Sequence, residues 1–202
     1  MEGGGRLLVV VGMPASGKST AARILGELLG CPVVSMGDAV RRETARRGLP
    51  LTPENVERVA ASLRASMGRA AVALLVAEEA ARLMGGSGCV IVEGARSPEE
   101  LPVLARLGRV CLVAVHASPR RRLERLSSRG RPGESGWDAL RLRDRANLEF
   151  GVGELIALAD FMVVNEWGLE ELRGQLRRVA EELRHGAWEG CSGGGGPPDR
   201  VA

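Results

Sequence analysis

One octet constrains this chain more than any other stretch. Gly12-Met13-Pro14-Ala15-Ser16-Gly17-Lys18-Ser19 follows an apolar run, Leu7–Val11. It leads into Ser19–Leu29, where Ala22, Ile24, Leu25, Leu28 and Leu29 recur at helical spacing and Gly30 supplies a stop. The octet fits G-x-x-x-x-G-K-[ST] at every position. A strand that ends in glycine and turns directly into a helix gathers backbone N–H groups around a small volume, and the helix start adds its free amides and dipole. That volume suits phosphate oxygens. Gly12, Met13, Pro14, Ala15, Ser16, Gly17, Lys18, Ser19 and Thr20 would line it, Lys18 would reach the β- and γ-phosphates of ATP, and Ser19 would place its hydroxyl on Mg²⁺.

Composition sharpens the point. Lys18 is the one lysine beside 27 arginines, in a chain with 28 glycines, two phenylalanines and no tyrosine. A GC-rich genome accounts for such a bias over most of the surface, but not for the one site that kept lysine. An ammonium is a compact point charge, and a planar guanidinium does not replace it inside a tight backbone cradle.

The rest of the chain supports a single domain. Its 202 residues are 45% hydrophobic, enough for a substantial core, and the net charge of +3 is mild. It permits anionic ligands without demanding nucleic acid, and so few aromatics leave no platform for stacking bases. No apolar run approaches the ~20 residues of a membrane span, and Leu7–Val11 is too short for a signal-peptide core. The expectation is a cytoplasmic protein with no membrane partner. Cys31, Cys89, Cys111 and Cys191 lack metal-ligand spacing. Cys31 and Cys89 each open an expected strand and could be neighbours; the expected state is nonetheless free, buried thiols.

Five Val-rich runs read as strands: Leu7–Val11, Pro32–Met36, Cys89–Val92, Val110–Val115 and Phe161–Val164. They are nearly continuous rather than alternating, which suits a parallel sheet covered on both faces. Helical patterns lie between them, at Asp38–Arg47, Pro53–Met84 with Gly68 a break point, Pro98–Leu107, Pro119–Arg129, Trp137–Leu148 and Leu169–Leu183. Alternating strands and helices give an α/β fold with right-handed crossovers. From Gly186 onward the chain is Gly- and Pro-rich and is expected to be a disordered tail.

In an open parallel sheet, ligands collect at the carboxyl ends of the strands. There the runs end in Ser35-Met36-Gly37-Asp38, Glu93-Gly94-Ala95-Arg96, His116 and Asn165-Glu166. Glu93 sits where a carboxylate would hold a magnesium water, and a helix cap or rim ion pair is its plainer reading. Asp38 also fits a helix start. His116 is read as a hydrogen-bonded strand end, not a catalyst. Arg120, Arg121, Arg122, Arg125, Arg129, Arg131, Arg141, Arg143 and Arg145 crowd one segment. Half of them would serve only a solvated surface. The others suit a lid closing on transferring phosphoryl groups, with Arg129, Arg131 and Arg143 favoured, then Arg125 and Arg145.

These residues resemble the phosphate-loop nucleotide kinases over about residues 6–184. Val34-Ser35-Met36-Gly37-Asp38-Ala39-Val40-Arg41 is similar to the nucleoside monophosphate kinase segment that places an arginine on the acceptor phosphate, which implies Asp38 and Arg41 here. Glu93-Gly94-Ala95-Arg96 is similar to the Asp-Gly-x-x-Arg segment of those kinases, with its arginine one position early, and implies Arg96. Ala159–Asn165 with Gly168–Leu172 resembles dephospho-coenzyme A kinases. The whole pattern, including Phe150-Gly151-Val152-Gly153, most resembles an uncharacterised archaeal family of small kinases labelled adenylate-kinase-related or dephospho-coenzyme-A-kinase-related.

The resemblance implies a three-layer P-loop NTPase fold: a five-stranded parallel sheet with helices on both faces, an acceptor-binding helical region over about 38–84 and a small helical lid over about 119–148. The implied activity is ATP- and Mg²⁺-dependent phosphoryl transfer to a small anionic, nucleotide-like acceptor, with Lys18, Asp38, Arg129 and Arg143 in the chemistry. If the acceptor were a ribose hydroxyl, as in dephospho-coenzyme A, Asp38 would be the base. A regulatory or assembly ATPase without a small-molecule acceptor is the reading from another class. The sequence leaves the donor base open between ATP and GTP and sets no oligomeric state.

Overall fold

A computed structural model describes residues 4–128 and 136–191. The five strands are β1 (Arg6–Val11), β2 (Val33–Ser35), β3 (Cys89–Glu93), β4 (Arg109–His116) and β5 (Phe161–Val164), all parallel, in the order β2-β3-β1-β4-β5. Between and after them come α1 (Lys18–Leu29), α2 (Met36–Arg46), α3 (Pro53–Met67), α4 (Ala71–Ser87), α5 (Glu100–Ala105), α6 (Pro119–Ser128), α7 (Trp137–Glu149), α8 (Val152–Ala157) and α9 (Leu169–Arg184). The first strand to form the octet is therefore also the central strand. Its end is flanked by β3 on one side and β4 on the other, and both deliver polar residues beside it.

Alternation along the strands divides the core in two. Leu7, Val9 and Val11 of β1, with Val90, Val92 and Leu112, face a layer that includes Val40, Val59, Val76, Leu104 and Leu155 from α2, α3, α4, α5 and α8. Leu8, Val10, Ile91 and Val113 face Ile24 and Leu25 of α1 and Leu172, Leu176 and Leu183 of α9. This is the three-layer α/β architecture that the Val-rich runs implied. Each fully buried side chain of this kind contributes about 1.5–3 kcal/mol relative to exposure.

Local chemistry sets the boundaries. Ser35 caps α2, its hydroxyl accepting from the Asp38 amide, so Met36 starts the helix instead of ending the strand. Thr52 caps α3, with Pro53 at the first helical position. The 53–84 pattern divides at Gly68 into two helices bent by 94°. No single described helix is long and apolar enough to cross a membrane.

Two expectations fail at the amino ends of the strands. The cysteines are not free thiols: Cys31 is joined to Cys89 and Cys111 to Cys191, with Cα atoms 5.4 and 5.1 Å apart. The parallel register starts β3 at Cys89 beside Arg6, and Cys31 precedes β2 on the neighbouring strand. The tail also begins later than Gly186. Ala187–Gly190 forms a 3-10 turn whose Trp188 is buried among the α9 residues, and Arg109 donates to the carbonyl of Glu189 at 2.9 Å. A bulky aromatic and a bonded cysteine outweigh the local glycine content. Residues 192–202, the remainder of the expected tail, lie outside the described residues. The six residues of α8 carried too short a pattern to be read in advance.

At the outer edge of the sheet, the Gln175 side chain of α9 treats Val164 as a strand neighbour would. Its Oε1 accepts from the Val164 amide at 2.9 Å, and its Nε2 donates to the Val164 carbonyl at 2.7 Å.

Candidate active site

The loop 12–17 leaves β1 and enters α1 through backbone that only certain residues tolerate. Gly12 (φ +154°) and Gly17 (φ +99°) leave no room for a side chain: a Cβ would strike the Val115 carbonyl and Ser16 Oγ at the first, and the Asn165 amide nitrogen at the second. Ala15 also holds a left-handed φ of 61°, a conformation that costs roughly 1–2 kcal/mol for a residue with a Cβ. Surrounding groups stabilise it.

Those groups act on the loop carbonyls. Arg122 donates to the Pro14 carbonyl at 3.3 Å. Arg125 donates to Ala15 O at 3.3 Å, Ser16 O at 3.1 Å and Asn165 O at 2.7 Å. Asn165 donates from Nδ2 to Ser16 O at 2.8 Å. Three consecutive loop carbonyls are thus engaged by cationic or amide donors. The first turn of α1 contains no acidic residue, and the Ser16 hydroxyl is fully buried without a hydrogen-bond partner among the described residues. An anion-binding loop needs its carbonyls satisfied by other groups, so that amide donors can serve the ligand. Lys18 and Ser19 begin α1.

Glu93 ends β3 opposite Val10 on one side and Ser35 on the other. It is 7% exposed and accepts from the Ser35 hydroxyl at 2.6 Å. The same hydroxyl therefore caps α2 and orients the carboxylate. Asp38 and Arg41, one turn apart on α2, bond to each other, Arg41 Nε lying 3.0 Å from Asp38 Oδ1. Arg96 pairs with Glu57 of α3 at 3.5 Å. Behind Arg96, the buried Glu100 accepts from the amides of Arg96 at 2.7 Å and Ser97 at 3.2 Å, which fixes the turn after β3. Burial pushes the Glu100 carboxyl above the usual range. Arg64, whose basicity is lowered by burial, stacks 4.5 Å from the Phe150 ring nearby.

The arginine-rich segment divides sharply. Arg120 and Arg121 pair with Glu124, Arg141 with Asp138 and Arg145 with Glu149, all on exposed faces. Arg125 reaches back to the loop. Arg143 lies on α7, its carbonyl accepting from Asn147 at 2.7 Å. Arg129 and Arg131 lie outside the described residues. Sequence reasoning missed the most buried of the described ones. Arg122, 3% exposed, forms a two-pronged pair with Asp144 of α7 at 2.6 and 2.7 Å. Nothing local separates it from its neighbours in a run of three arginines. Asn165 stood on the rim without a role; the signal would have been its place directly after β5. Beside it, Glu166 accepts from both the amide and the hydroxyl of Ser118, joining the two loops that follow β4 and β5. The Ser118 amide, above all, holds this carboxyl below the usual range.

This geometry has relatives. A family model described as an AAA domain matches residues 8–146. A UPF0200 protein of Aeropyrum pernix is 55% identical over 177 residues, spanning 87% of this chain and 92% of its own. The chain belongs to the UPF0200 family. Among solved structures, a putative kinase of Chloroflexus aurantiacus covers 91% of this chain and 98% of its own, with a TM-score of 0.59 at 21% identity. The shikimate kinase of Bacteroides thetaiotaomicron covers 88% and 98%, with a TM-score of 0.57 at 17% identity. Similarity at that identity is one of fold. This UPF0200 chain has the kinase-like P-loop fold.

Proposed function

We propose that the protein transfers a phosphoryl group from ATP to a small, anionic, nucleotide-like acceptor. The observation that carries this reading is the loop at the end of β1, whose three consecutive carbonyls are engaged while α1 opens with Lys18 and Ser19 and no acid. Residues Gly12 to Thr20 fit a triphosphate, with Ser19 and the oriented Glu93 the groups that would hold Mg²⁺ or its waters. Bound Mg²⁺ would neutralise charge on the transferring phosphate. Lys18 would bind the β- and γ-oxygens and stabilise charge as it spreads over them. Beside the loop, Arg121, Glu124, Arg125, Ser128 and Trp167 line a cleft of about 210 Å³. Trp167 and Arg125 offer planar groups for a purine, with the base left open between adenine and guanine.

Across the loop, Arg41 and Arg96 would take the acceptor's phosphate. Their present partners, Asp38 and Glu57, are about half exposed, and pairs of that kind contribute only ~0.2–1 kcal/mol. Exchange for a dianionic phosphate is therefore inexpensive. Asp38 accepts two bonds from Arg41, an arrangement that holds the arginine at the site until a phosphate replaces the carboxylate. This favours a phosphate acceptor, which needs no general base, over a ribose hydroxyl.

The test is stoichiometric. The protein is incubated with Mg²⁺ and ATP or GTP, a panel of nucleoside monophosphates, and dephospho-coenzyme A. A phosphorylated monophosphate supports the proposal, and phosphorylated dephospho-coenzyme A would move the role of Asp38 to that of a base. Phosphate release with no phosphorylated acceptor would sink the kinase reading and favour an ATPase that serves an assembly.

A further inference from the structure

Arg122 is given no contact with the nucleotide above, yet it is buried and bonded on every side of its guanidinium. It occupies the meeting point of three parts of the molecule. Nε donates to Ala117 O at 3.1 Å, just past β4. One terminal nitrogen donates both to Pro14 O in the loop, at 3.3 Å, and to Asp144 Oδ1, at 2.6 Å; the other donates to Asp144 Oδ2 at 2.7 Å. A buried guanidinium is tolerated when a carboxylate meets it in this forked geometry.

We propose that Arg122 and Asp144 form a positioning couple that sets the loop in its phosphate-receiving shape before any nucleotide arrives, and that makes donor affinity depend on how α7 is seated. The proposal rests on reading the loop as a triphosphate site. Its physical basis is the orientation of one peptide. With the Pro14 carbonyl bonded to Arg122, the following peptide enters Ala15 in the left-handed region. Without Asp144, the guanidinium is a buried cation lacking its counter-charge, and it withdraws toward solvent. Pro14 O then loses its donor. The carbonyl is free to turn inward, where its dipole opposes an incoming phosphate. Arg125 and Asn165 hold the two later carbonyls, Ala15 O and Ser16 O, whereas the donor at Pro14 O is Arg122. Neither Arg122 nor Asp144 needs to touch the nucleotide.

The experiment measures donor binding apart from turnover. Binding of Mg-ATP and of inorganic pyrophosphate is titrated by calorimetry for the wild type, Asp144→Asn, Arg122→Lys and the neutral pair Arg122→Gln/Asp144→Asn. Thermal midpoints and amide hydrogen exchange over residues 13–17 are recorded alongside. The couple predicts at least tenfold weaker binding of both probes in each single variant and faster exchange in the loop. The KM of the acceptor stays unchanged, and the double variant is no worse than either single one. The neutral pair removes the buried charges together, so it tests the proposal even where a single variant folds poorly.

Wild-type affinity in the neutral pair, or a lowered midpoint with unchanged affinity, would reduce the couple to a structural tie and overturn the proposal. So would a fall in kcat with donor affinity intact. A wild type that binds ATP but phosphorylates no acceptor overturns the proposed function and leaves the couple supported by its binding data. A wild type that binds neither probe overturns both.

Discussion

The two ends of the sheet are held together by different chemistry. At the carboxyl ends, hydrogen bonds from Arg122, Arg125 and Asn165 fasten the loop 12–17, Ser35 orients Glu93, and Glu166 joins the loops after β4 and β5. At the amino ends the ties are covalent, Cys31 to Cys89 and Cys111 to Cys191, with Trp188 packed beside them. The first end is built from exchangeable bonds to backbone, which a ligand can compete with or reorganise. The second is built from bonds that no ligand would disturb. On the proposed function, the difference gives recognition to one end and endurance to the other, with strands of only three to eight residues between them.

The sharpest way to break this division is to attack each end alone. Lys18→Ala should lower phosphoryl-transfer turnover by on the order of 10³-fold while moving the thermal midpoint by only a few degrees. Unchanged turnover would remove the octet from the chemistry. Reduction of the disulfides should do the reverse. The bridges close 58 and 80 residues of sequence, and the chain-entropy picture gives each about 4 kcal/mol of stability. Chemical denaturation with and without dithiothreitol would measure that loss, and Mg-ATP affinity at a temperature where the reduced protein stays folded should be unaltered. An affinity that falls on reduction would show the ends to be coupled.

The smallest effect concerns acid. Glu166 titrates below its ordinary range because the Ser118 amide bonds to it, and Glu43 is lowered to about 2 by hydrogen bonds from Arg46 and then Arg47. A depressed carboxyl stabilises the fold above its unfolded pKa, and that contribution is lost as pH falls through the folded value. Stability should therefore decline below about pH 4.3, and Glu166→Gln and Glu43→Gln should each flatten part of that slope. With Arg46 largely exposed and both carboxylates near the surface, each contributes on the order of 1 kcal/mol or less at neutral pH. A slope identical in both variants and the wild type would place the acid sensitivity elsewhere.

The sequence made the octet, the five strands and the three layers readable because each depends on local period or spacing. The strand ends gave Asp38, Glu93 and Arg96 their places on the rim for the same reason. The loop's supports were not readable in that way. Arg122 meets Asp144 across 22 positions, and its neighbours Arg120 and Arg121 carry the same local pattern while facing solvent. The disulfides had a similar obstacle: cysteine spacing says nothing about connectivity, and only the register of β2, β3 and β1 brings Cys31 to Cys89. The tail was misjudged at Trp188 because glycine count outweighed one aromatic in a chain that has only three tryptophans. In so aromatic-poor a sequence, that residue was the better guide.

The Gln175 amide at the margin of β5 has a consequence for life in a crowded solution. A four-residue edge strand directs alternate backbone groups outward, and Gln175 already satisfies those of Val164 by imitating the rung of a further strand. That leaves less of the ladder open to a further strand, by a device other than proline, bulge or lysine, the usual deterrents to edge-to-edge growth. In a chain whose one lysine stands at the start of α1, a side-chain amide performs that duty.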